Sequence, residues 1–199
     1  MATAADLLQS ATGVPRSDAL LLLAKLLGVA KERLIAHPET VVSEKTQATF
    51  SDWIERVRGG FPTTYLLGTQ SFWGRDFLVT PDVLIPRPDT ETVIETVLHL
   101  VDSQKPFSIL DLGTGSGAIA VTLAKELPSA RVTATDISDR ALAVAKENAR
   151  RLGATISFSL GNWFESLSGH HQYNIIVSNP PYIHPDDTHL KALRFEPRG

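Results

Sequence analysis

The spacing of apolar positions changes character twice along the chain. Up to about residue 60 it is helical: Leu7-Leu8, then 19–27 ending at Gly28, then 43–58 ending at Gly59-Gly60. Glycine just past the last periodic residue is a common helix stop, because it enters the left-handed conformation without a Cβ penalty. Phe50, Trp53, Ile54 and Val57 make one apolar stripe, predicted to pack as core on the leucine-rich run 19–24. Over 61–88 aromatic and β-branched residues (Tyr65, Phe72, Trp73, Phe77, Val79, Val83, Ile85) are punctuated by Gly68, Gly74, Pro81, Pro86 and Pro88. That pattern predicts a hairpin-like connector. Asp89 suits an N-cap for a helix whose apolar face is Val93, Ile94, Val97, Leu98 and Val101.

Beyond residue 106 strands and helices alternate: strand 107–112, helix 118–127, strand 131–135, helix 139–152 stopped by Gly153, then strands 155–160 and 173–178. Alternation of this kind predicts a parallel sheet with right-handed crossovers. The expected fold class is α/β, a Rossmann-like parallel sheet preceded by a small all-α domain and a β-hairpin connector. The expected domains are 1–66, 67–88 and 89–199. With Gly199 so soon after the fourth strand, the expectation is a sheet truncated after that strand in a C-terminally truncated chain, with the strand 173–178 at an edge.

Composition narrows the chemistry. The chain has 199 residues, 43% hydrophobic and 21% charged, enough for a sizeable core. A net charge of -3 gives no basic footprint for neutralising phosphates, which argues against a nucleic-acid substrate. Cysteine is absent, so disulfides and thiolate metal sites are impossible, and the six histidines lack ligand spacing; His170-His171 reads as a solvated loop. No signal-like segment opens the chain and no apolar run reaches bilayer length, so a soluble cytoplasmic protein is expected.

Three motifs carry chemistry. Gly113-Thr114-Gly115-Ser116-Gly117 falls at a strand-to-helix turn, where glycines let a ligand approach the backbone and helix N-terminal amides face it. Asp136 ends the next strand, at the distance from the glycines where an acidic side chain meets ribose hydroxyls. Together they predict a nucleoside-containing cofactor without saying which, since with Ala118 the turn also satisfies the dinucleotide fingerprint. Asp111, two residues before the first glycine, would repel a pyrophosphate and attract an ammonium such as that of S-adenosylmethionine; alternatively it caps its own turn. The third motif is Asn179-Pro180-Pro181-Tyr182, at the end of the strand 173–178. Consecutive prolines stiffen the backbone there. The Asn179 carboxamide oxygen and the Pro180 carbonyl can accept both hydrogens of a planar NH2 group, with Tyr182 as an aromatic wall. Accepting both hydrogens favours a more pyramidal, more nucleophilic nitrogen.

Asp111-Leu112-Gly113-Thr114-Gly115-Ser116-Gly117 with Asn179-Pro180-Pro181-Tyr182 resembles the class I S-adenosylmethionine-dependent methyltransferases acting on exocyclic or amide nitrogens. Leu84-Ile85-Pro86-Arg87-Pro88-Asp89-Thr90-Glu91, with Tyr65-Leu66-Leu67-Gly68, Phe72-Trp73 and the helical start, resembles the HemK-type glutamine methyltransferases of peptide chain release factors. The resemblance implies methylation of the glutamine amide in a release factor's Gly-Gly-Gln loop. By it, Gly113, Thr114, Gly115, Ser116 and Gly117 hold the methionine part of the cofactor and Asp136 the ribose, with Asp111 and Ile137 also among the cofactor-binding residues. Asn162 and Trp163 hold the adenine, with Asn162 standing where members often carry Asp, and Trp163-Phe164 reads alternatively as a hydrophobic plug. Asn179, Pro180, Pro181 and Tyr182 clamp the substrate amide, Asn179 also bordering the cofactor. Arg87 positions substrate, caps the cofactor pocket, or belongs to a domain joint. Arg194-Phe195-Glu196-Pro197 matches the family's run after the motif. Other readings are an adenine or ribosomal-protein glutamine methyltransferase, an NAD-dependent oxidoreductase, and a cofactor-binding fragment without activity.

Overall fold

The computed structural model describes residues 2–102, 105–165, 167, 172–180 and 194–197. The chain divides into two compact units, Met1–Gly68 and Thr69–Gly199. The first contains α1 (Ala4–Ser10), α2 (Arg16–Leu27), α3 (Lys31–Ala36), α4 (Glu44–Arg58) and α5 (Thr63–Leu67). Helices this short are marginal alone in water, so packing of their apolar faces decides them. Leu22 and Leu23 of α2, Leu34 of α3 and Phe50 and Ile54 of α4 are buried in one cluster, with Trp53 and Val57 packed against it. The aromatic stripe is therefore core. Ser43 caps α4 by accepting from the Thr46 amide at 3.3 Å, and Gly28 closes α2 in the left-handed region. The sequence pattern misses α3 and α5, neither long enough to repeat an apolar period; Tyr65, read in the connector pattern over 61–88, and Leu67, at the start of the expected 67–88 connector, belong to α5.

In the second unit β1 (Thr69–Phe72) and β2 (Arg75–Leu78) pair antiparallel across Trp73-Gly74. Both turn residues have positive φ, 51° and 68°, the geometry of the tight hairpin turn that matches strand twist. A tryptophan is strained there. Its amide donates to Glu91 Oε1 at 2.8 Å and its indole Nε1 to Glu126 Oε1 at 3.2 Å, which offsets the strain. The hairpin ends at Leu78, so 79–88 is not strand, although Val79, Val83 and Ile85 are buried. Asp89 does not cap the next helix: a 3-10 turn, Pro88–Thr90, comes first and α6 runs Glu91–Leu100. Pro88, with its fixed φ and no N–H, starts the turn and places Asp89 inside it.

There follow β3 (Phe107–Leu112), α7 (Ala118–Glu126), β4 (Ala130–Asp136), α8 (Asp139–Leu152), β5 (Ser157–Leu160) and β6 (Ile175–Ser178). The four strands form a parallel sheet in the order β5-β4-β3-β6, the expected α/β class, with β6 at the edge among the described residues. Ile109, Val132, Ala134 and Val177 from the sheet, Ile94 and Val97 from α6, and Ala120, Val121 and Leu123 from α7 share one core. Register places the site: Leu112 pairs with both Thr135 and Ser178, and Asp136 with Leu160. All four strands thus finish along one edge, where open α/β sheets bind ligands.

Candidate active site

Gly113 and Asn179 each follow directly on the paired residues Leu112 and Ser178. The glycine turn and the amide motif therefore leave neighbouring strands at one level, about 5 Å apart laterally. The Ser178 hydroxyl reinforces that edge by donating to the Leu112 carbonyl at 2.8 Å.

The glycine turn is closed by its own hydrogen bonds. The amides of Gly113 and Thr114 both donate to the Thr135 carbonyl at 2.9 Å, that of Gly115 to Asp136 Oδ2 at 2.8 Å, and that of Gly117 to the Thr114 carbonyl at 2.9 Å. These four amides of the turn are spent. What it offers is space. A Cβ at Gly113 or Gly115 would meet nothing within 4 Å, whereas one at Gly117 would lie 3.1 Å from Ala145 Cβ. The first two glycines leave a cradle; the third is needed for packing on α8.

Asp111 lies beneath the turn, fully buried. Burial pushes its pKa up to about 6, against the opposing effects of the Thr114 hydroxyl and the Ala120 amide and with a smaller upward push from Asp136. Thr114 Oγ1 donates to Oδ2 at 2.6 Å, while Oδ1 is buried without a hydrogen-bond partner among the described residues. Ala120 stands in the first turn of α7, where amides have no intrahelical partner. The carboxylate thus takes the place at a helix N-terminus that a pyrophosphate would need. That placement of a carboxylate disfavours a dinucleotide. An orphaned carboxylate oxygen beside an open glycine cradle fits a ligand bearing an ammonium.

Asp136 ends β4 with Oδ1 accepting from the Ser138 amide at 2.9 Å and Oδ2 from Gly115. Each oxygen keeps a further acceptor position for a hydroxyl. Ile137 beside it is 66% exposed. Past β5, Gly161 donates to the Asp136 carbonyl at 2.9 Å and sets the start of the loop carrying Asn162 and Trp163. Asn162 is exposed; Trp163 and Phe164 are 54% and 55% exposed, so they do not form the hydrophobic plug of the alternative reading. Trp163 also has a positive φ of 49°.

Asn179 is half-buried and its Nδ2 donates to Thr90 Oγ1 at 3.3 Å, joining two stretches 89 residues apart. With the nitrogen spent on Thr90, Oδ1 is left as the acceptor. Pro180 is exposed; Pro181 and Tyr182 lie outside the described residues, as does the His170-His171 pair. Arg87 forms an ion pair with buried Glu196, whose other oxygen accepts from the Ile85 amide at 3.3 Å. The 87–91 segment spends three side chains on three partners: Arg87 on Glu196, Thr90 on Asn179 and Glu91 on the Trp73 amide. Thr90 and Glu196 were not singled out by the sequence as contacts, because each partner is remote in the chain. Among the described residues no group of three metal-ligating side chains occurs, and no helix is long and apolar enough to cross a membrane.

A parallel sheet with an open glycine turn, a buried acid beneath it and an amide motif on the adjoining strand defines a methyltransferase domain, and residues 90–194 match the Methyltransferase small domain model. Residues 1–68 match the PrmC N-terminal domain. The release factor glutamine methyltransferase of Bordetella pertussis is 49% identical over 189 residues, covering 94% of this chain and 70% of that one. Those of Koribacter versatilis and Burkholderia pseudomallei are 44% and 43% identical, over 94% and 100% of this chain and 68% and 72% of theirs. The chain belongs to the release factor glutamine methyltransferase family. Among solved structures, the SAM-dependent methyltransferase of Agrobacterium tumefaciens aligns at 24% identity with a TM-score of 0.48, over 57% of this chain and 39% of that one.

Proposed function

We propose that the chain transfers a methyl group from S-adenosylmethionine to the side-chain amide nitrogen of the glutamine in the Gly-Gly-Gln loop of a peptide chain release factor. The observation that carries this reading is Asn179: its Nδ2 is spent on Thr90, which leaves Oδ1 as an acceptor level with the glycine turn. The cofactor, when bound, supplies an electrophilic methyl group on a sulfonium. Asp111 and the Gly113–Gly117 backbone hold its methionine end, the orphaned Asp111 Oδ1 receiving the ammonium. Asp136 with Ile137 takes the ribose, and Asn162 and Trp163 the adenine. Oδ1 of Asn179 and the Pro180 carbonyl accept the two hydrogens of the substrate amide, which localises the nitrogen lone pair and aims it at the methyl group. In this reading Pro181 and Tyr182 complete the clamp, and the helical unit recognises the release factor. Arg87 acts indirectly, fixing the 87–91 segment through Glu196.

Incubation with a release factor and methyl-labelled cofactor is expected to label only the Gly-Gly-Gln glutamine. Label on a Gln→Ala substrate would overturn the assignment. Asn179→Ala is expected to cut turnover far more than affinity for S-adenosylhomocysteine, and equal losses would make the residue structural.

A further inference from the structure

Asn148 is polar, sits on the buried face of the strongly amphipathic α8, and is 0% exposed. All its hydrogen-bonding capacity toward backbone is directed at two remote segments. Oδ1 accepts from the Leu78 amide at 2.7 Å, and Nδ2 donates to the Leu78 carbonyl and the Ser116 carbonyl, both at 2.9 Å. A flipped carboxamide would face the Leu78 N–H with its own NH2 and both carbonyls with its oxygen, so the three partners fix one orientation.

We propose that Asn148 is a positioning residue for the cofactor turn and couples that turn to the β1–β2 hairpin. Ser116 lies between Gly115 and Gly117, and Ala145, one helical turn before Asn148, is the residue against which Gly117 packs. Positions three apart lie on one helix face, so α8 grips the turn at two successive points. On the other side, Leu78 is the last residue of β2, and the hairpin's opposite end is anchored by Trp73 on Glu91 and Glu126. The hairpin is therefore held at both ends, and at its base the same side chain that holds it also holds the glycine turn. Asn148 touches no reacting atom; it acts through the backbone of Ser116.

The inference rests on reading 113–117 as the cofactor turn, and titration of the wild-type chain with S-adenosylhomocysteine tests that reading by itself. Asn148→Asp preserves size and the acceptor for Leu78 but removes both donors; Asn148→Ala removes all three bonds. At a temperature where circular dichroism shows each variant folded, calorimetry is expected to give about tenfold weaker binding than wild type. Wild-type binding with unchanged affinity in both folded variants would make Asn148 merely structural and overturn the proposal. If neither variant folds, the wild type still decides. Because coupling is reciprocal, saturating S-adenosylhomocysteine is expected to slow hydrogen exchange of the Leu78 amide severalfold beyond the slowing at Val97 in α6. Equal slowing at the two amides would overturn it.

Discussion

A wholly buried carboxylate with one unpartnered oxygen is costly to keep charged, and Asp111 is such a group. Its folded pKa of about 6 lies above the ordinary 3.8, so the folded chain takes up a proton that the unfolded chain still lacks as pH falls through 6. Ionised Asp111 therefore destabilises the ligand-free protein above that pH, by about 3 kcal/mol at most, and the penalty fades between pH 6 and 4. Asp111→Asn is expected to raise unfolding free energy by about 2 kcal/mol at pH 7.5, with the gain shrinking toward pH 4.5 in denaturant titrations. The same substitution is expected to weaken S-adenosylhomocysteine binding at least about tenfold, since it removes the charge paired with the ammonium. Wild-type affinity is expected to decline as pH drops below 6, where Asp111 becomes neutral. Thr90 presents the opposite case, with little stability at stake. Thr90→Val keeps shape and deletes the partner of Asn179; it is expected to lower kcat about fivefold, the value of one neutral hydrogen bond, without changing cofactor affinity. Thr90→Ser is expected to behave as wild type, and full activity of the Val variant would show that Thr90 does not orient the amide.

Among the elements, the turn between β3 and α7 separates two reasons for glycine. Gly113 has φ of 71° and open space around a hypothetical Cβ; Gly117 has φ of 81° and Ala145 against it. Gly113→Ala is expected to cost about 1 kcal/mol of backbone strain. It should also fill part of the cradle, so calorimetry should show lost cofactor affinity in a folded protein. Gly117→Ala adds overpacking, about 1–3 kcal/mol more, and its melting temperature should fall further. The motif announces three glycines, but only coordinates assign their different tasks. Much else at this scale is legible from pattern: β3 and α8 have the predicted limits, because a short buried run and a long 3.6-residue period ended by Gly153 are unambiguous. Asn148 also left a signal, a polar residue three past Ala145 and four past Val144 on an apolar face. Its partners did not, since Leu78 and Ser116 are 70 and 32 residues away. Nor could spacing reveal that the amides of Gly113, Thr114, Gly115 and Gly117 are already used. The 3-10 turn displaced the expected cap at Asp89 because proline geometry outweighed an N-cap preference.

For the molecule as a whole, the two units have separate cores: Leu22, Leu23, Leu34 and Phe50 in one, Ile94, Ile109, Val121 and Leu123 in the other. Every described residue assigned above to cofactor or amide lies in the second unit. Binding that requires only one folded unit stabilises that unit by mass action, about 2.7 kcal/mol when ligand stands at 100 times its Kd. Calorimetric melting without ligand is therefore expected to resolve two cooperative events. Saturating S-adenosylhomocysteine should move only one upward, by several degrees for a domain of this size. Hydrogen exchange identifies which: amides of β3 and β4 should gain protection, while those of α2 and α4 keep their ligand-free rates. A single transition shifting as one, with α2 and α4 protected alongside the sheet, would show that cofactor binding is felt by the helical unit. Cofactor and protein substrate would then be energetically linked, each raising affinity for the other by the same factor.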